Sequence, residues 1–257
     1  MGFRDLLAFM TGLPVGGGSL ERAARSFHLA PLVGVVEGLV AAAAVSAATI
    51  AGSPEVLAGA IYIATHIALT GGIHLDGFSD YMDVVGSRLR GEAAVRVLKD
   101  PRRGSYAIAW TFTILALSLA SIAAVSDLGV AALAALLAAA YLAAAEAAYT
   151  AIALGSPPPY PGLASKFKAE VTRGRVFVNI ALYTVLAAAV AAASLKLIGP
   201  EGLAAALAAA ATGPLAGAAS AIDAGRRLGF VSGDVAGFAF EASRTAALTL
   251  AAIAVSA

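Results

Sequence analysis

Apolar residues occur along this chain in long runs that are separated by short polar stretches. A run of about 20 apolar residues is long enough to cross the roughly 30 Å hydrocarbon core of a bilayer as an α-helix. A sliding window of about 19 residues predicts about seven such helices. Their predicted bounds are Pro31–Ala51, Val56–Ile73, Ser105–Val125, Leu128–Leu154, Val176–Leu195, Gly202–Ile222 and Ala236–Ala257. We therefore expect an all-α fold, a polytopic transmembrane helical bundle that forms a single integral membrane domain over residues 1–257.

Some of the predicted spans contain charged residues, and one is unusually rich in alanine. Glu241 and Arg244 interrupt the last span, and the span Leu128–Leu154 is rich enough in alanine to pack inside the bundle with little lipid contact. Glu37 and Glu146 also lie within predicted spans, where a carboxylate must be protonated or paired. Arg244 is one available partner, and a hydrogen bond between helices is the simplest role for either glutamate.

The composition agrees with a membrane protein and excludes several other classes. Apolar residues make up 60% of the chain and charged residues 13%, against about 25% charged in a typical soluble domain. The formal net charge of +1 gives no general basic field, so we expect no nucleic-acid partner. Cysteine is absent, which excludes disulfides, thiolate catalysis and cysteine-bound metals.

The basic residues predict the orientation. Lysine and arginine in short loops are retained on the cytoplasmic side of a membrane. With seven spans, every lysine and arginine except Lys196 and Arg244 falls on the same side as the N-terminus. We therefore expect a multi-pass protein of the plasma membrane, with a cytoplasmic N-terminus and an active site that faces the cytoplasm.

The segment 71–104, between the second and third predicted spans, concentrates charged residues. Asp76, Asp80 and Asp83 are spaced by four and three residues, so on a helix they fall within an arc of about 60°. Like charges at this spacing repel each other, and a hard divalent cation removes the repulsion. Mg²⁺ is usually held by one or two carboxylates together with substrate phosphates and water. The alternative is a solvated acidic helix face without a ligand.

Basic residues follow in the same segment. Lys99 and Arg102 flank Asp100, and Arg103 comes next, in a turn broken by proline and glycine. Guanidinium and ammonium groups in such a turn suit a phosphate, although retention on the cytoplasmic side would also explain them. His74 falls about 160° from the aspartates on the same helix, which favours a supporting or gating role over metal binding. The pattern predicts phosphoryl transfer on a phosphate or diphosphate ester.

Two motifs in this segment carry a family resemblance. GGIHLDGFSDYMD, followed without a gap in spacing by LKDPRRGSYA, resembles cobalamin synthase, the adenosylcobinamide-GDP ribazoletransferase family, whose patterns are close to GG-hydrophobic-HLDGLADTADG and IMKDSRIGTYG. Three supporting stretches, FMTGLPV, PLVGVVEG and VSGDVAGFAFE, extend the resemblance over nearly the whole chain. The chain departs from the family pattern at Val84, Arg96, Pro101 and Glu146, where glycine, glutamate, serine and arginine are usual.

The resemblance implies a Mg²⁺-dependent membrane enzyme. It would join adenosylcobinamide-GDP to α-ribazole or its 5′-phosphate, release GMP, and form adenosylcobalamin or its phosphate. Asp100 would be a further metal ligand or the base that takes the hydroxyl proton. The site residues that the resemblance and the pattern together assign are Asp76, Asp80 and Asp83 for the metal, Asp80, Lys99 and Asp100 for catalysis, and His74, Lys99, Arg102 and Asp234 for substrate or phosphate binding.

Two other functions fit parts of the pattern. A CDP-alcohol phosphotransferase also binds Mg²⁺ with aspartates on bundle helices, but its DG-x2-AR pattern is not met, because no alanine-arginine pair follows the DG of Asp76 and Gly77. A secondary transporter would explain charged residues within the spans. Its repeated halves are not apparent, since the HLDG stretch has no second copy. The oligomeric state is not indicated by the sequence.

Overall fold

The structure, a computed structural model, describes residues Gly2–Ser256, and it contains only helices and connecting segments over that range. Two short 3₁₀ turns, Phe27–Leu29 and Ser126–Leu128, precede α3 and α8. The α-helices are α1 (Gly2–Met10), α2 (Leu20–Arg25), α3 (Ala30–Ile50), α4 (Glu55–Thr70), α5 (Ile73–Ser87), α6 (Glu92–Leu98), α7 (Ser105–Val125), α8 (Val130–Leu154), α9 (Leu163–Ala169), α10 (Arg173–Ile198), α11 (Pro200–Arg227) and α12 (Gly233–Ser256).

Six of the described helices are long and apolar enough to cross a membrane, namely α3, α7, α8, α10, α11 and α12. A seventh candidate span consists of α4 and α5 together, which are bent by 95°. The predicted all-α membrane bundle is therefore confirmed, and the helix bounds agree with the predicted spans to within a few residues. Ala257, the end of the last predicted span, lies outside the described residues.

The bend between α4 and α5 changes the second predicted span. Gly71 and Gly72 both have positive φ angles, of 61° and 72°, a conformation that glycine adopts without the steric cost that other residues incur. These two residues end α4 at Thr70 and redirect the chain, so Ile73 begins the next helix instead of ending the span. The segment 71–104 contains the helices α5 and α6 and a turn before α7.

Helix α8 forms the centre of the bundle. It is buried along most of its length and packs against α3, α11 and α12. Its many alanines allow neighbouring backbones to approach closely, which favours helix packing within a membrane. The alanine-rich span that the sequence placed inside the bundle is therefore found there.

The two unusual glutamates do not pair with Arg244. Glu146 accepts a hydrogen bond from Thr150 Oγ1 at 3.2 Å, on its own helix. Glu37 is fully buried, and neither of its carboxylate oxygens has a hydrogen-bond partner among the described residues. Arg244 pairs with Glu241 instead.

Helix α5 packs on α7 and on the first turns of α12, and a glycine permits the closest approach. A Cβ atom at Gly77 would lie 2.8 Å from the Cα atom of Asp234, so a side chain there would push the two helices apart. This contact brings the aspartates of α5 to the same end of the bundle as Asp234.

Candidate active site

Two aspartates of α5 share one arginine. Asp76 and Asp80 lie one helical turn apart, and the guanidinium of Arg103 contacts the carboxylates of both. Arg103 belongs to the turn between α6 and α7, so this contact ties the turn to α5. Asp76 is largely exposed, whereas Asp80 is mostly covered. Asp76 and Asp80 thus form an acidic pair, and the positive charge of Arg103 partly balances their two negative charges.

The third aspartate of the same face has a different environment. One carboxylate oxygen of Asp83 accepts the backbone N–H of Gly104 at 2.6 Å, and the other accepts the backbone N–H of Ala107 at 3.0 Å. The first N–H groups of a helix lack partners within that helix, so Asp83 satisfies the N-terminus of α7. Asp83 therefore fixes the position of α7 relative to the acidic face of α5.

Asp100 is held by its neighbour Arg102. The Arg102 side chain donates to both carboxylate oxygens, at 3.0 and 2.8 Å, and its backbone N–H donates at 3.0 Å. These hydrogen bonds lower the pKa of Asp100 to about 2. A carboxylate with so low a pKa is a weak base while this pairing lasts. Both side chains lie at the surface, and Arg102 is the more exposed of the two.

Lys99 faces a separate surface basin. Its ammonium lies 4.3 Å from the centroid of the Tyr160 ring, a distance at which a cation is attracted to an aromatic face. Tyr160 belongs to the proline-rich stretch 156–161, and its ring packs edge-on against Phe230. The open basin has a volume of about 690 Å³, and Arg96 also lines it.

His74 and Asp234 lie together beside Asp76. All three line a cavity of about 270 Å³ between the ends of several helices. Asp234 accepts a hydrogen bond from Ser232 Oγ at 3.1 Å. The His74 ring stacks on Phe240 with a centroid separation of 4.0 Å, and its Nε2 atom has no partner among the described groups. His74 thus contacts α12, apart from the carboxylate pair of Asp76 and Asp80.

The predicted site residues therefore do not form one cluster but lie in several neighbouring groups. Within the described range, no three histidine, aspartate or glutamate side chains converge as a preformed metal cluster. Asp76 and Asp80 form a closely spaced pair that shares Arg103, and Asp234 lines the same cavity as Asp76. This donor set fits Mg²⁺, because Mg²⁺ commonly uses one or two carboxylates and completes its shell with substrate phosphates and water.

Arg103 is the residue whose role the sequence did not indicate. Its basic neighbour Arg102 was the predicted phosphate ligand, but Arg103 is the one that reaches the carboxylates of α5. Adjacent side chains in an irregular turn have no fixed periodicity, so spacing alone could not select between these two arginines. The only sequence signal was the presence of a second basic residue directly before Gly104.

Comparison with known proteins gives a consistent result. The family model described as cobalamin-5-phosphate synthase matches residues 2–252. Three relatives, each named adenosylcobinamide-GDP ribazoletransferase, are similar to parts of the chain. The relative from Pseudomonas aeruginosa (strain UCBPP-PA14) is 36% identical over 123 residues, which is 46% of this chain and 49% of that protein.

The relative from Chlorobium phaeobacteroides (strain BS1) is 41% identical over 98 residues, 38% of this chain and 39% of that protein. The relative from Chlorobaculum tepidum is 39% identical over 106 residues, 41% of each chain. The matched part of the chain thus spans about half, or less, of the length of these curated relatives. No solved structure matches the chain.

Proposed function

The chain belongs to the cobalamin-5-phosphate synthase family, and from that premise we propose that it catalyses a late step of cobalamin biosynthesis. The proposed reaction transfers the adenosylcobinamide-phosphate group of adenosylcobinamide-GDP to α-ribazole or α-ribazole 5′-phosphate. A ribazole hydroxyl oxygen forms a bond to the phosphorus that carries the cobinamide. The bond from this phosphorus to the bridging diphosphate oxygen breaks, GMP leaves with that oxygen, and the hydroxyl proton passes to a base.

The carboxylate pair bridged by Arg103 is the observation that supports this proposal most directly. Mg²⁺ bound there would neutralise negative charge on the diphosphate and on the departing GMP. We assign Asp76 and Asp80 as its protein ligands. Asp83 lies on the same face, but both of its oxygens already accept backbone N–H groups, so we assign it to positioning α7.

The basic residues are assigned to the phosphate groups. Arg103 presents a planar guanidinium beside the carboxylate pair, and such a group binds phosphate oxygens in a two-pronged geometry. Arg102, the preceding residue, would stabilise the charge that develops on GMP, whereas Lys99 faces the separate basin beside Tyr160.

Two carboxylates, those of Asp100 and Asp234, are candidates for the base that takes the hydroxyl proton. Asp100 is held by Arg102 and has a low pKa, which makes it a weak proton acceptor. Asp234 lines the cavity and accepts a hydrogen bond only from the neutral Ser232 hydroxyl among the described groups. We therefore assign Asp234 as the base and Asp100 as the residue that orients Arg102.

The assay that tests the proposed function uses the purified protein in lipid nanodiscs with Mg²⁺, adenosylcobinamide-GDP and α-ribazole. GMP and adenosylcobalamin should form in equal amounts, and EDTA should stop the reaction. Asp80→Asn should lower the rate by about 100-fold or more, because a metal ligand and its charge are lost. Asp127→Asn, at an exposed position in the turn before α8, is the matched control.

Other outcomes would overturn the proposal. Release of CMP from a CDP-alcohol, with no GMP from adenosylcobinamide-GDP, would indicate a CDP-alcohol phosphotransferase. Accumulation of a solute in proteoliposomes without either reaction would indicate a transporter. Full activity in EDTA would contradict the assignment of Mg²⁺ to Asp76 and Asp80.

A further inference from the structure

A partly open, largely apolar cavity of about 270 Å³ lies next to the carboxylate pair. Phe9, Phe27 and Phe167 line it, and the Phe167 ring contacts both of the other two. The Phe167 ring is 4.9 Å from that of Phe9 and 4.8 Å from that of Phe27, between ring centroids. These mutual contacts hold the three rings in place, so the cavity is shaped before any ligand arrives. A preformed apolar pocket with few polar groups is typical of a small-molecule site.

One polar side chain that lines this cavity, that of His74, has a ring nitrogen without a partner among the described residues. His74 is 8% exposed, its ring stacks on Phe240, and its Nε2 atom has no hydrogen bond among the described residues. A buried polar atom without a partner costs about 1–3 kcal/mol, so such atoms are usually satisfied by a ligand or by water. The position of His74 in the cavity wall points to a ligand that offers one hydrogen-bonding atom within an otherwise apolar body.

We propose that this cavity binds the bicyclic base of the acceptor nucleoside, an inference that rests on the proposed function. The benzimidazole base of α-ribazole has an apolar edge with two methyl groups and one free ring nitrogen. The aromatic wall matches the apolar edge, and His74 Nε2 matches the ring nitrogen. Guanine would leave several polar edge atoms unpaired against the phenylalanines, which is costly. A corrin ring with its amide side chains is too large for the cavity.

The position of the cavity agrees with the chemistry that the acceptor must undergo. Asp76 and Asp234 line the cavity together with His74. With the base against the phenylalanines, the ribose would lie towards these carboxylates. The ribose hydroxyl groups would then lie beside Asp234, the proposed proton acceptor. They would also lie beside the carboxylate pair, where Mg²⁺ and the donor phosphates are proposed to bind. The same cavity would thus bind the acceptor and orient the hydroxyl group that attacks the phosphorus.

A cavity-filling variant with a matched control tests the location. Ala236 lines the cavity from α12, and Ala246 is an exposed alanine farther along the same helix. Ala236→Leu should raise the KM for α-ribazole by about tenfold or more and leave the KM for adenosylcobinamide-GDP within about twofold. Ala246→Leu adds the same side-chain volume outside the cavity and should change neither value.

The failure of this inference can be separated from failure of the proposed function. If the wild-type protein releases no GMP, the proposed function is wrong. If the wild type is active and Ala236→Leu has the same KM for α-ribazole as Ala246→Leu, the cavity is not the site of the base. Equilibrium dialysis of α-ribazole without the donor gives the same comparison without turnover. Binding to the wild type and to Ala246→Leu, but not to Ala236→Leu, supports the inference.

A second experiment tests the hydrogen bond of His74 and does not depend on the folding of the leucine variant. His74→Phe keeps an aromatic ring against Phe240 but removes the nitrogen. The probe is the dimethylindole analogue of α-ribazole, in which carbon replaces the free ring nitrogen. The wild type should bind α-ribazole about tenfold more tightly than the analogue, and His74→Phe should bind the two equally. Equal binding of both compounds by the wild type would show that His74 does not contact the base.

Discussion

Arg244 and Glu241 form an ion pair within α12, and neither side chain has any exposed surface. Two nitrogens of the arginine donate to Glu241 Oε2, at 3.0 and 2.7 Å. The third guanidinium nitrogen, Nη1, donates to the Tyr62 hydroxyl at 2.7 Å and to Ser118 Oγ at 3.2 Å. The other oxygen of Glu241 lies 2.9 Å from His66 Nε2. The pair therefore connects α12 to α4 and α7 inside the bundle.

Removal of one partner of this pair should destabilise the protein strongly. Glu241→Gln leaves the Arg244 charge buried without its counter-charge, which costs about 3–5 kcal/mol. Thermal unfolding in detergent, followed by the loss of the monodisperse chromatographic peak, should show a large decrease in Tm. The double variant Glu241→Leu with Arg244→Leu removes both charges, so it should be more stable than Glu241→Gln. A double variant less stable than the single one would contradict the idea that the unpaired charge is the main cost.

Arg103 should be more important for activity than its neighbour Arg102. Arg103 neutralises Asp76 and Asp80, whereas Arg102 contacts Asp100 at the surface. Arg103→Gln should lower kcat/KM for GMP release by about 100-fold, since both phosphate binding and the pairing with α5 are lost. Arg102→Gln, the matched control in the same turn, should lower it by no more than about tenfold. Equal losses in the two variants would show that the contact with α5 has no special role.

The absence of cysteine allows a direct test of the orientation. We expect the turn before α8 to face outwards and the turn before α6 to face the cytoplasm, because the lysines and arginines concentrate on the latter side. Asp127→Cys places a single thiol at an exposed position in the turn before α8, and Glu92→Cys places one at the exposed first residue of α6. A membrane-impermeant maleimide should label Asp127→Cys in intact cells and Glu92→Cys only after permeabilisation. The opposite labelling pattern would place the carboxylate pair on the outer side of the membrane.

Much of the architecture was predictable because membrane spans have a strong physical signal. The window that predicted Ser105–Val125 finds the bounds of α7, and the alanine content of the next span indicated the buried position of α8. The shared face of Asp76 and Asp80 was also predictable, because it follows from helical periodicity alone. The bend at Gly71 was not, since two glycines signal flexibility but do not give the angle between the helices.

Contacts between distant parts of the chain could not be predicted from the sequence. Asp83 has the spacing of a metal ligand, yet both of its oxygens accept N–H groups from the start of α7. The apolar cavity combines residues from α1 and α9 with His74, and these three parts of the chain are far apart in sequence. Periodicity describes one helix at a time, whereas these arrangements depend on how separate helices pack together.

The contact between Gly77 and Asp234 leads to a final prediction, about the packing of α5 on α12. Gly77→Ala adds a methyl group that would lie 2.8 Å from Asp234 Cα, so the helices must separate or shift. Overpacking of this kind costs about 1–3 kcal/mol. The shift should also lower the rate of GMP release, because it moves Asp76 away from Asp234.

Gly225→Ala is the matched control for this substitution, since Gly225 is also helical and a Cβ atom there has no neighbour within 4 Å. This variant should keep full activity, and it should be as stable as the wild type or up to about 1 kcal/mol more stable, because alanine favours the helix. Tm and GMP release measured side by side decide the question. If Gly77→Ala matched Gly225→Ala in both measurements, the close contact would not position the site, and the carboxylates of α5 would keep their place through Asp83 and α7 alone.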